Sequence, residues 1–182
     1  MYNNRSGKSQ NDVTTGAVVR GLLLVFVAMA VTGIASAQEY AMLKFRGGIG
    51  VIPVTGVAAT GTVNLNVVRG VSPAGPWRIA DLDADVRSDG SVRINGRGLL
   101  LAAGNGIGTN AGASVFATLF CGAADSATAH NSGRVALDAD GDFRIHGALT
   151  PAPPASCDTP VLLIRNSAGS QVWFAAAIPE SN

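Results

Sequence analysis

Charged side chains are scarce in this chain. They make up 14% of its 182 residues, and 13 Lys and Arg against 12 Asp and Glu leave a formal net charge of +1. A chain this close to neutral lacks the electrostatic footprint of a nucleic-acid binder, so no nucleic-acid partner is expected. Aromatic residues are equally thin, at 5%. Tyr40, Phe45, Trp77, Phe116, Phe120, Phe143, Trp173 and Phe174 are scattered, which suits core packing better than a base-stacking platform. Trp77 stands beside Pro73, Gly75 and Pro76, where a partly exposed ring has the shape to stack on a sugar.

The supply of catalytic side chains is small too. His130 and His146 are the only imidazoles, and Lys44 is the only lysine beyond Gln38. No Gly-x-Ser-x-Gly elbow, Ser-x-x-Lys signature or Gly-Lys-Ser/Thr phosphate loop is present. Ser126 and Ser132 flank His130, but serine is common in loops. Two cysteines and two histidines, widely spaced, make a poor zinc set.

What the chain does have at its start is an export signal. Arg5, Lys8 and Arg20 precede the unbroken apolar run Leu22–Val31, and Ala35-Ser36-Ala37 follows as a small-x-small cleavage site. The apolar part is short for a bilayer span. Residues 1–37 are therefore expected to be a signal peptide, cut before Gln38, leaving no stable membrane anchor. The alternative is an uncleaved N-terminal segment that holds the chain at the membrane. Cleavage removes Arg5, Lys8, Arg20 and Asp12 and takes the formal charge from +1 to about −1. The destination is then periplasmic or extracellular. An oxidising compartment favours a bond between Cys121 and Cys157, closing a loop of about 37 residues.

From Gln38 to Asn182 the pattern is short β-branched or alternating runs between turn residues, which predicts one all-β domain, an antiparallel β-sandwich or a partly closed barrel. The expected strands are Tyr40–Phe45, Ile49–Pro53, Thr62–Val68, Arg78–Val86, Ser91–Ile94, Gly98–Ala102, Ser114–Phe120, Val135–Asp138, Asp142–Ile145, Val161–Arg165 and Gln171–Ala177. Leu82, Ala84 and Val86 alternate with Asp81, Asp83 and Asp85, as a strand with one wet face requires. Ala123–Ser132 is the one place for a short helix. Asp89-Gly90 and Asp140-Gly141 mark tight hairpin turns, because glycine tolerates the positive φ they need. The stretch Asp89–Gly96 resembles Asp140–Gly147, 51 residues on, so the domain contains two similar hairpin units.

Three groups of residues are candidates for binding. Gly104, Asn105, Gly106, Thr109 and Asn110 belong to the longest glycine-rich stretch and form a candidate binding loop. Asp138, Asp140 and Asp142 gather hard oxygen ligands about a turn and are candidates for calcium, although Phe143 stands where a calcium loop needs glycine. Asp81, Asp83, Asp85 and Asp89 are a second acidic group, but two-residue steps of roughly 7 Å along a strand spread them too widely to surround one ion. No other cofactor is expected. These features favour a non-enzymatic binding or surface-structural module whose partner is a protein, a glycan or another copy of the chain. The alternatives are a small secreted hydrolase with a loop-built site around His130 or His146, and a self-assembling surface fibre subunit.

Overall fold

The computed structural model describes residues 42–52, 66–87 and 89–180. The expected signal peptide lies outside the described residues, as do Tyr40, Pro53 and the Thr62–Leu65 part of one expected strand; the described remainder of that strand, Asn66–Val68, is not a strand and makes only a bridge from Val68 to Val71. The described residues form eleven strands and no helix: β1 (Met42–Gly50), β2 (Trp77–Arg78), β3 (Asp81–Arg87), β4 (Ser91–Arg97), β5 (Leu100–Leu101), β6 (Ser114–Cys121), β7 (Thr128–Asn131), β8 (Val135–Ala136), β9 (Phe143–Ala148), β10 (Val161–Asn166) and β11 (Trp173–Pro179).

Nine of these strands make one antiparallel sheet in the order β7-β6-β10-β11-β1-β3-β4-β9, with β8 also on β6. The sheet is curled into a half-barrel. Asn131, at the end of β7 on one border, exchanges two backbone hydrogen bonds of 2.9 and 2.8 Å with Thr150, just past β9 on the other. The concave side is the core. Phe45, Leu82, Ile94, Leu119, Leu162 and Ile164 are fully buried there, each from a different strand apart from the two on β10. β2 and β5 form a separate two-stranded sheet.

The alternating pattern of β3 is borne out and β4 shares it: Leu82, Ala84, Val86, Val92 and Ile94 face in, and the residues between them within each strand face out. Both Asp-Gly turns hold glycine at positive φ, 86° at Gly90 and 78° at Gly141. The two similar stretches turn out to be neighbours. β4 pairs with β9 about the buried pair Ile94–Ile145, so the two stretches run antiparallel side by side. Gly96 then falls opposite Phe143, and a Cβ at Gly96 would sit 2.1 Å from the phenyl ring. The missing side chain makes the room that the ring fills.

Four expectations need correction. Ala123–Ser132 is not helical: a turn leads into β7, because pairing with β6 supplies backbone hydrogen bonds that outweigh the helical preference of four alanines. Tyr40–Phe45 and Ile49–Pro53 do not form separate strands. The single strand β1 crosses a bulge beside Gly47, whose φ is 83°, and ends at Gly50. The expected strand Arg78–Val86 breaks at Ile79–Ala80, since β2 leaves the main sheet to pair with β5. Val135–Ala136 pairs with β6 and not with the strand beyond the next turn.

Cys121 closes β6 and forms a disulfide with Cys157, with 4.8 Å between the Cα atoms. It ties the proline-rich connection after β9 to the end of β6, beside the start of β10. With a sequence separation of 36, the bond removes loop entropy from the unfolded chain worth about 4 kcal/mol. Denaturant unfolding of the Cys121→Ala/Cys157→Ala variant should show a stability loss of about 2–5 kcal/mol. An unchanged midpoint would contradict a structural role for the bond.

Candidate functional site

The outer face of β1, β3 and β4 is a field of opposed charges. The outward residues of β3 are the aspartates, and the strands on either side answer them with cations. Asp85 lies opposite Lys44 and Arg93, Asp83 opposite Arg46, and Asp81 opposite Arg97. Arg46 donates to Asp85 Oδ1 at 3.0 Å and lies 3.9 Å from Asp83 and 4.0 Å from Glu180. Arg97 is bonded to Asp81. The hydrogen bond to Asp85 raises the pKa of Arg46 above its usual value, the three nearby carboxylates add to this, and loss of hydration opposes it. The strand aspartates are thus engaged by guanidinium groups along an extended backbone, not folded round a cation.

The turn aspartates are also occupied. Asp138 Oδ1 accepts the backbone N–H groups of Asp140 at 3.0 Å and Asp142 at 2.8 Å, which shapes the turn. Asp142 Oδ1 accepts the N–H of Gly98 at 2.9 Å and pins the turn to the chain beyond β4. Among the described residues no group of three or more His, Cys, Asp or Glu side chains is placed to hold a metal ion.

The pairing of β4 with β9 does bring the two acidic groups to one place. Asp81 and Asp83 form one side of an open cleft of about 530 Å³, and Asp138 and Asp142 form the other. Asn95, Arg97 and Arg144 stand among them, above Gly96 and Phe143. The volume falls within the range of small-molecule sites. The lining includes no histidine, cysteine or serine. Asn95 and Arg144 are exposed and make no side-chain hydrogen bond or ion pair among the described residues. Sequence reasoning missed both, for nothing in the chain's local pattern sets these two exposed strand residues apart.

The other candidate residues lie elsewhere. In the glycine-rich loop the Thr109 hydroxyl donates to the Gly106 carbonyl, and Asn110 donates to the Leu137 and Asp138 carbonyls while accepting from Gly112. These side chains hold the loop in shape and dock it on the turn that walls the cleft. Gly104 and Asn105 are exposed at its tip. His146 is exposed on β9, whereas His130 is 3% exposed. His130 lines a second cavity with Ser156 and Asp158, but the three are not wired as a triad. The Ser156 hydroxyl donates to Asp158 at 3.3 Å, and His130 Nδ1 bonds the Pro151 carbonyl at 2.8 Å. Among the described residues His130 Nε2 has no partner, so none of them is coupled to it as a nucleophile. Trp77, expected to be partly exposed, is buried and stacked on Phe174, with ring centroids 4.1 Å apart.

One carboxylate near this face reports on folding. Asp89 Oδ1 accepts the Ser91 N–H at 2.8 Å in the β3–β4 turn, and hydrogen bonding to Ser91 holds its pKa below the usual value, with Arg87 adding to the effect. A lowered folded pKa stabilises the fold above the ordinary carboxylate range, and the benefit disappears as pH falls through the folded pKa. Unfolding of wild type and Asp89→Asn compared across pH should therefore show a small deficit in the variant at neutral pH that closes in strong acid. A deficit independent of pH would contradict this.

Compared with protein-family models, curated protein sequences and solved structures, the chain matches none of them.

Proposed function

We propose that the chain is exported and that its β domain is a non-enzymatic binding module which takes a polar ligand in the cleft between β3, β4, β9 and the Asp138–Asp142 turn. The observation that carries this reading is the cleft's composition. Carboxylate, carboxamide and guanidinium groups converge on it from three neighbouring strands, with no serine, cysteine or imidazole among them, which supports recognition of a polar ligand. The apolar run Leu22–Val31 and the Ala35-Ser36-Ala37 site support export, and the disulfide suits an oxidising destination. No helix of the described residues is long and apolar enough to cross a membrane. The hydrolase reading is weaker because His130 faces a backbone carbonyl and no coupled hydroxyl. A fibre built by strand addition is disfavoured because the curled sheet bridges its own borders at Asn131 and Thr150.

Protein recovered from the exported fraction of its native host should begin at Gln38 by mass spectrometry. It should then be screened against arrayed glycans and small polar compounds of both charge signs. Binding is expected to fall at least about tenfold in the Asp83→Ala/Arg144→Ala variant, the loss of one or more charge-assisted hydrogen bonds. Ester, peptide, glycoside or phosphate turnover that is lost in His130→Gln would overturn the reading. So would ligand binding that is indifferent to the cleft variant.

A further inference from the structure

We infer that the ligand of this cleft is neutral and rich in hydroxyl groups, a saccharide of about two sugar rings, read by the row Asp83–Asn95–Arg144. The inference rests on the binding reading above. Asn95 lies opposite Asp83 on one neighbouring strand and opposite Arg144 on the other. Outward side chains paired in this way are about 5 Å apart from strand to strand, so the row spans roughly 10 Å. Its three head groups are planar and two-pronged. The carboxylate accepts two hydrogen bonds, the carboxamide accepts and donates, and the guanidinium donates a pair. Of these, Asn95 and Arg144 make no hydrogen bond within the described residues, and both are exposed. They are free to engage a ligand.

Charge then selects the ligand class. An anion drawn to Arg144 meets the carboxylates of Asp81, Asp83, Asp138 and Asp142 on the walls. A cation drawn to those carboxylates meets Arg97 and Arg144, and finds Asp81 already bonded to Arg97 and Asp138 and Asp142 already accepting backbone N–H groups. Either ion satisfies one part of the cleft at the expense of another. A hydroxyl group donates at Asp83 and accepts at Arg144 with no charge to oppose. Adjacent hydroxyls on a sugar ring match the two prongs of each head group, and successive rings match the succession of strands.

Proton–nitrogen NMR spectra of the purified protein report on the site directly, through the Asn95 side-chain amide and the Arg144 Nε–H. The probes are cellobiose and maltose as neutral disaccharides, glucuronate as an anion, glucosamine as a cation and glycylglycine as a zwitterion. At least one disaccharide should shift both resonances saturably, with each charged or zwitterionic probe at least tenfold weaker. Arg144→Gln, on an exposed strand position, should weaken the disaccharide at least tenfold. A charged or zwitterionic probe that binds as tightly as the disaccharides would overturn the ligand class and leave the cleft as the binding site. Failure of both disaccharides to move either resonance would also overturn it. An undiminished disaccharide affinity in the Asp83→Ala/Arg144→Ala variant, read at the Asn95 amide, would show that Asp83 and Arg144 do not hold the saccharide and would overturn both the inference and the binding reading.

Discussion

The structure depends on inside–outside parity along one curled sheet. There is no second large sheet among the described residues to bury a misplaced apolar row, so β3, β4 and β9 must each present their apolar side to the same concave face. A slip of one residue would reverse every side chain of a strand. The pair Ile94–Ile145 shows how tightly this is held. Both residues are almost fully buried, and their pairing fixes Asn95 opposite Arg144 on the outside and Gly96 opposite Phe143 on the inside. The Phe143 ring occupies the space left at Gly96, so a shift of β9 against β4 would bring the ring against a side chain. The cleft is the outward consequence of the same pairing. Without it, Asp81 and Asp83 would lie far from Asp138 and Asp142.

The two halves of the sheet obey different rules. On β3, β4 and β9 outward residues meet water between buried ones, and the aspartates of β3 oppose cations on β1 and β4. On β6 the burial runs unbroken from Val115 to Cys121, and on β10 from Leu162 to Ile164. Both faces of these strands are out of water. Arg165 shows the change of environment. Its guanidinium lies 5.1 Å from the centre of the Phe116 ring, bonds the Gln171 carbonyl and the Thr118 hydroxyl, and has its pKa pushed down by burial. Exposed charged groups are concentrated on the alternating half.

Much of this architecture is legible in the sequence wherever the cause is local. Period-two alternation marks β3 and β4, and Asp-Gly marks both turns. The disulfide follows from there being two cysteines and one pairing. The partners of each strand are not legible, because they are set by contacts across long separations. β7 carries alanine and a helix-like composition, yet the edge of β6 decides its conformation. Trp77 sits among turn residues and still reaches a buried stack with Phe174, since β2 leaves the main sheet. The acidic groups could be named from the sequence, but their meeting could not, for it needs β4 beside β9. The similarity of Asp89–Gly96 to Asp140–Gly147 was the one available clue, and similarity alone does not say that two stretches touch.

The pairing of Asn95 with Arg144 is the point on which fold and cleft both turn, and it can be tested chemically. Directly opposed residues on neighbouring antiparallel strands have Cα atoms at a distance that a disulfide can bridge. Under mild oxidation, Asn95→Cys combined with Arg144→Cys should form a cross-link within the folded protein, mapped by peptide mass spectrometry. Asn95→Cys combined with Ile145→Cys should not, because residue 145 points into the core. Cross-linking of the second pair in place of the first would contradict the register from which the cleft is built.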